Sequence, residues 1–126
     1  MKPRVVILAF ALAAATALMG ASAFAADSAK GKKVFNKCKA CHSLAAGKNK
    51  IGPSLHGVIG RDAGAVKGFR YSKAMKASGI TWSEENISNY LEKPKKFIPG
   101  NRMAFPGLRK EADRDNVIAY IKENAM

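Results

Sequence analysis

A chain of 126 residues with 22 Lys and Arg against 9 Asp and Glu carries a formal charge of +13 and holds only two cysteines and two histidines. That length allows one domain with a single small core, and the lack of any internal repeat, low-complexity tract or Pro-rich linker excludes a second. The basic balance suits an acidic protein surface, anionic lipid or nucleic acid, and is silent about fold.

The chain opens on Lys2 and Arg4, runs through an apolar, Ala-rich stretch from Val5 to Met19, and reaches Ala23-Phe24-Ala25, which has small residues where a leader is cut. An apolar run of about 15 residues falls short of the roughly 18 to 20 of a membrane span. Residues 1–25 are therefore expected to be a signal peptide, cleaved between Ala25 and Ala26, with residues 26–126 as the mature domain of about +11 charge. Export makes nucleic acid the poorest of the three partners.

From Ala29 to Lys39, Gly31, Val34, Phe35 and Cys38 recur at helical spacing, so a first helix has an apolar face that ends at the cysteines. From Ser43 to Lys67 glycines and the Gly52-Pro53 pair interrupt the chain without a sustained period, which predicts a long loop in need of something to pack on. Tyr71 to Ala77 is expected to form a short helix that stops at Gly79. Thr81-Trp82-Ser83-Glu84 has capping-box spacing, and Ile87, Tyr90 and Leu91 continue an apolar face until Pro94 ends it. Lys95 to Gly107, broken by Pro99, Gly100 and Pro106, is expected to be an ordered loop. Asp113 to Asn124 sets Val117, Tyr120 and Ile121 on one side, with Asp113 and Asp115 in a first turn that favours carboxylates. The fold class is all-α with much irregular chain, short of the apolar residues a core needs. Such a domain usually requires a disulfide, a metal or a bound group.

Both cysteines lie in Cys38-Lys39-Ala40-Cys41-His42. A disulfide inside C-x-x-C closes too small a loop to stabilise much. A redox dithiol belongs at a helix start beside a βαβ pattern, where the thiol pKa is lowered, and here the pair follows a helix. A zinc site would need both histidines, His42 and His56, in an unusual spacing. C-x-x-C-H as a signature of c-type haem attachment accounts for all three residues: the sulfurs take the haem vinyls and the histidine comes under the iron. A large flat apolar group also supplies the missing core. For the sixth ligand, Met126 is terminal, Met75 sits in a short helix as a core or boundary residue, and His56 is expected to bond locally. Met103, in the rigid Ile98–Gly107 loop, is the candidate.

The segments GKKVFNKCKACHSL, GPSLHGVIGR, GFRYS, GITW, YLEKPKKFIPGNRMAFPG and DNVIAYI, in this order across residues 27–125, resemble a class I cytochrome c, of the soluble periplasmic bacterial kind similar to mitochondrial cytochrome c. The resemblance implies the cytochrome c fold, short helices and loops wrapped around one covalently attached haem. It implies attachment at Cys38 and Cys41, iron ligation by His42 and Met103, and a Pro53 carbonyl that accepts the His42 Nδ1 proton. Tyr90 is implied to direct its hydroxyl toward the Met103 sulfur, and Arg61, Tyr71, Trp82 and Asn101 to surround the haem propionates. Gly31 and Phe35 are implied to cross Val117 and Tyr120. The pattern departs from the mitochondrial one at Met75 for an asparagine beside a water network, at Asn101 for a threonine, at Pro106 after the aromatic Phe105, and in a loop after His42 one residue shorter.

The implied function is one-electron transfer between membrane redox complexes, by a monomeric carrier and not an enzyme. A thioether with histidine raises the haem potential and favours the ferrous state. Lys37, Lys95, Lys96, Arg102, Arg109 and Lys110 are expected to ring the exposed haem edge and steer acidic partners: a quinol-oxidising reductase complex, a terminal oxidase or a reaction centre, with peripheral membrane contact as an addition. The rival class is a haem peroxidase or a carbon monoxide or nitric oxide sensor, which needs a labile sixth position that Met103 in a rigid loop argues against.

Overall fold

Asp27 opens the first helix. Its side chain accepts the Lys30 amide at 3.1 Å, and its own amide donates to Asn116 Oδ1 at 2.8 Å, so helix α1 (Ser28–Phe35) is capped and tied to the far end of the chain at once. The computed structural model describes residues 25–126, and the leader reading of residues 1–25 lies outside it save for Ala25. The expected first helix ran to Lys39, whereas the helix ends at Phe35. The amides of Lys37 and Cys38 bond three residues back, to Val34 (3.0 Å) and Phe35 (2.8 Å), and residues 36–41 wind on as tight turns that carry the cysteine pair.

After a loop region from Ser43 that matches the expected irregular stretch, α2 (Lys73–Ala77) starts at Ser72, whose hydroxyl accepts the Met75 amide at 3.0 Å. Helix α3 (Glu84–Glu92) is capped by Ser83, which accepts the Asn86 amide at 3.1 Å, and not by Thr81. Thr81 stands outside: its hydroxyl donates to Asp62 at 3.1 Å, its carbonyl accepts Asn86 Nδ2, and its backbone forms a single antiparallel bridge with Asp62. Pro94 ends α3 as expected, and it also begins α4 (Pro94–Phe97), a helix inside the stretch expected to be loop. Pro at the first helical position has its ring angle pre-set and no amide to satisfy. Helix α5 (Glu111–Asn124) begins two residues ahead of the expected Asp113, with Glu111 and Asp113 in its first turn.

The frame is the crossing of α1 on α5. A Cβ on Gly31 would stand 2.8 Å from Tyr120 Cβ and closer still to the Asn116 carbonyl, so only glycine permits this approach. Phe35 packs its ring 5.4 Å from that of Tyr120, and Val117 is fully buried beneath them. Phe35, Trp82, Tyr90, Ile98, Leu108, Val117, Ile118 and Ile121 belong to one core cluster. Cys38, Leu55, Ile59, Met75, Met103 and Phe105 pack against it only half-buried. Buried Arg114 joins the pieces: its Nε donates to Ser88 on α3 at 3.0 Å, and its Nη1 to the Leu108 and Arg109 carbonyls at 2.9 Å each.

Candidate functional site

The turns after α1 bring Cys38, Cys41 and His42 to one place, because the His42 amide bonds the Cys38 carbonyl at 2.9 Å and the Cys41 amide bonds it at 3.1 Å. Neither cysteine is in a disulfide. Burial and the neighbouring Cys41 push the Cys38 thiol up to about 11, against the opposing pull of Lys37. A raised pKa is the reverse of what a redox dithiol requires. Among the described residues no cluster of three His, Cys, Asp or Glu side chains is placed to hold a metal ion.

The loop from Ser43 wraps back on His42. Leu55 bonds the Ser43 carbonyl at 2.9 Å, Gly52 bonds that of Cys41 at 2.7 Å, and His42 Nδ1 lies 2.8 Å from the Pro53 carbonyl. A carbonyl can only accept, so Nδ1 carries the ring proton and Nε2 keeps a free lone pair. Burial lowers the His42 pKa, partly offset by the Pro53 bond and reinforced by the charges of Arg61 and Lys50, so the imidazole is neutral. Gly52, which the sequence reading treated only as a loop breaker, is buried against the imidazole: a Cβ there would meet Cε1 at 2.3 Å.

Two loops meet beside this turn. The Trp82 amide bonds the Arg61 carbonyl at 2.8 Å and Ala63 bonds Ile80 at 2.8 Å, setting buried Trp82 next to Arg61. Arg61 Nη1 donates to the Ser54 and His56 carbonyls at 3.0 and 2.9 Å, while its Nε is buried with no partner. Burial draws the Arg61 pKa down, opposed by Tyr71, whose hydroxyl accepts the Val66 amide at 3.1 Å and is engaged as a donor to no described residue. A buried guanidinium N–H without an acceptor, beside a hydroxyl with a proton to donate, fits a carboxylate, and a haem brings two. The half-covered apolar side chains around Cys38 and Met103 fit its ring. On both counts the residues present suit a c-type haem.

The Met103 arm runs from α4 to Leu108. Tyr90, on α3, directs its hydroxyl toward Met103 Sδ at 3.8 Å and Asn101 Oδ1 at 3.3 Å, and its ring lies 5.0 Å from that of Trp82, tilted by 50°. Burial pushes the Tyr90 pKa up to about 12, so the hydroxyl remains a donor. Asn101 gives both of its amide hydrogens to backbone carbonyls, those of Pro94 and Ile98, at 2.8 Å each. Of the other candidates, His56 is exposed and bonds locally through its backbone, Met75 is half-buried against the core, and Met126 is exposed at the end. Arg114 had no sequence signal beyond its place in a helix, yet its guanidinium holds the carbonyls where the arm returns at Leu108.

The family model described as cytochrome c matches residues 28–125. The chain belongs to the cytochrome c family. It is 52% identical over 100 residues to cytochrome c2 of Rhodoblastus acidophilus, covering 79% of this chain and 94% of that one. It is 48% identical over 115 residues to cytochrome c2 of Blastochloris viridis, covering 90% and 87%. The solved structure of cytochrome cH from Methylobacterium extorquens superposes with a TM-score of 0.73 at 44% identity, over 77% of this chain and 98% of that one. The all-α cytochrome c fold and a covalently attached haem c are therefore this chain's fold and cofactor, and electron transport is its class of work.

Proposed function

We propose that the chain is an exported, monomeric carrier of single electrons, with haem joined at Cys38 and Cys41 and iron held by His42 and Met103. The observation that carries this reading is the His42 ring: neutral, its Nδ1 proton given to the Pro53 carbonyl at 2.8 Å, its Nε2 free, on the turn that holds both cysteines. When bound, the haem supplies a one-electron couple at its iron. The chain's residues do the rest. Pro53 fixes the His42 tautomer and strengthens its donation. Met103 offers a soft thioether from a loop that is tied at Asn101 and Leu108, so little has to move when an electron arrives or leaves. Arg61, Tyr71 and Trp82 take the haem carboxylates, and Tyr90 lends its hydroxyl to the sulfur side. In this reading the chain is a carrier and not a catalyst.

Lys37, Lys95, Lys96, Arg102, Arg109 and Lys110 are all exposed, as a docking rim for acidic redox partners demands. Those partners are membrane complexes: a quinol-oxidising reductase, a terminal oxidase or a reaction centre. The leader ahead of Ala26 sends the carrier to the periplasm, and no helix among the described residues is long and apolar enough to cross a membrane. The test is a redox titration of the purified holoprotein, followed by assays with membranes from the source cell. Reduction by a membrane electron donor and reoxidation by an acceptor, both slowed by salt, support the proposal. A holoprotein that neither accepts nor returns electrons refutes it.

A further inference from the structure

Asn101 is, with Pro106, one of two residues at which this chain leaves the mitochondrial pattern inside the Met103 arm, and both of its amide hydrogens are used. It is buried, its Nδ2 donates to the carbonyls of Pro94 and Ile98 at 2.8 Å each, and its Oδ1 accepts the Met103 amide at 2.9 Å and faces the Tyr90 hydroxyl at 3.3 Å. A carboxamide has two donor hydrogens and two acceptor lone pairs; here both hydrogens and one lone pair have backbone partners, and the second lone pair shares the single Tyr90 hydroxyl hydrogen with Met103 Sδ. Gly100, at φ 88°, turns the chain so that Asn101 folds back onto α4. That helix has four residues, too few to hold itself, and the carbonyls of its first residue, Pro94, and of its C-cap, Ile98, both accept from this one side chain.

We infer that Asn101 is the positioning residue of the sixth-ligand arm, a clamp between the end of α4 and the Met103 backbone that sets how often the arm opens, and not a donor to the haem carboxylates. The inference rests on Met103 being the sixth ligand. A threonine has one hydroxyl hydrogen and cannot serve both carbonyls. An aspartate keeps the acceptor for the Met103 amide but loses both donors and turns a negative charge on the Pro94 and Ile98 oxygens.

The test uses purified holoprotein of wild type, Asn101→Asp, Asn101→Ala and Asn101→Thr. It measures carbon monoxide binding to the ferrous form, hydrogen exchange at the Met103 amide, and the pH dependence of the reduction potential. The expected result is haem attached in every variant, with carbon monoxide binding and Met103 exchange at least tenfold faster in Asp and Ala, about 1.4 kcal/mol of easier opening. Thr should fall between them and wild type, and the pH dependence of the potential should not change in Ala and Thr, which add no titratable group. Wild-type rates in Asp and Ala, together with an altered pH dependence of the potential in Ala, would return Asn101 to the carboxylates and overturn the clamp. Exchange that quickens equally in α1 and α5 would also overturn it, since Asn101 would then support the whole fold and not the arm. Rapid carbon monoxide binding by the wild type is the separate outcome that removes Met103 as ligand and the clamp with it.

Discussion

Replacing Gly52 by alanine puts a methyl group against the proposed iron ligand. Built on the existing backbone, that carbon lies 2.3 Å from His42 Cε1, 2.7 Å from Nδ1 and 2.8 Å from Nε2, where ordinary contact begins at 3.4 Å. The ring and the loop must part by about 1 Å. Neither gives way easily. His42 is tied to Pro53 at 2.8 Å, and the Gly52 amide and carbonyl are bonded to Cys41 and Lys50 at 2.7 and 2.9 Å. Overpacking costs roughly 1–3 kcal/mol, and with both sides anchored the upper half applies, about 2–3 kcal/mol. For a domain of this size the melting temperature then falls by roughly 8–24 °C. Guanidinium unfolding of the holoprotein measures the cost, and a redox titration measures the ring: as the Pro53 bond stretches, His42 donates less strongly and the potential rises. Gly47→Ala is the control, because nothing lies within 4 Å of its added carbon while its φ of 71° is unfavourable to alanine. It should cost about 1 kcal/mol and leave the potential alone. A Gly52→Ala protein no less stable than Gly47→Ala, with an unaltered potential, would refute the reasoning.

Gly31→Ala drives a carbon into the Asn116 carbonyl, a backbone atom that cannot swing away, and should cost about 3 kcal/mol or more in the same unfolding assay. Arg114→Met removes the donors to Ser88, Leu108 and Arg109 while keeping the side-chain stem. It should cost about 3 kcal/mol of thermal stability, chiefly from carbonyls left buried without a partner. Lys95→Glu with Lys96→Glu reverses two exposed charges beside the Met103 arm and should slow reaction with an acidic membrane partner at least tenfold at low salt. Stopped-flow rates that do not converge with wild type as ionic strength rises would count against a docking role for these lysines.

The parts legible in the sequence are those whose meaning is local. Cys38, Cys41 and His42 stand together in the chain, so their joint purpose could be read directly, and Gly31 with Phe35 lay on one face by spacing alone. The boundaries were less visible. Thr81 and Ser83 are both capping residues, and the choice fell to Ser83 because Thr81 is engaged by Asp62 across a loop. The four residues of α4 are too few to show a period, and Pro94, read as an end, is a beginning as well. Least visible were residues whose partners are backbone atoms brought from elsewhere. Asn101 could be matched by position, but nothing local showed that its amide binds the Pro94 and Ile98 carbonyls. Gly52 and Arg114 gain their roles only when His42 and Leu108 have been folded against them.

Two of the four departures from the mitochondrial pattern, Asn101 and Pro106, fall on the same arm. Pro106 and half-buried Phe105 follow Met103, and Gly107, at φ 115°, lies so close to the Glu92 backbone that a Cβ would clash with its carbonyl carbon at 2.9 Å. Leu108 then bonds the Leu91 carbonyl at 2.7 Å. An arm tied by Asn101 at one end and by Gly107 and Leu108 at the other suits a ligand that must stay in place through each change of charge.

The visible spectrum of the purified protein tests the central claim most directly. With His42 and Met103 on the iron, the ferric form shows a weak sulfur-to-iron charge-transfer band in the far red, and the ferrous spectrum is unchanged by carbon monoxide. Absence of that band, with rapid carbon monoxide binding, would contradict Met103 ligation and move the chain toward the ligand-binding haem proteins.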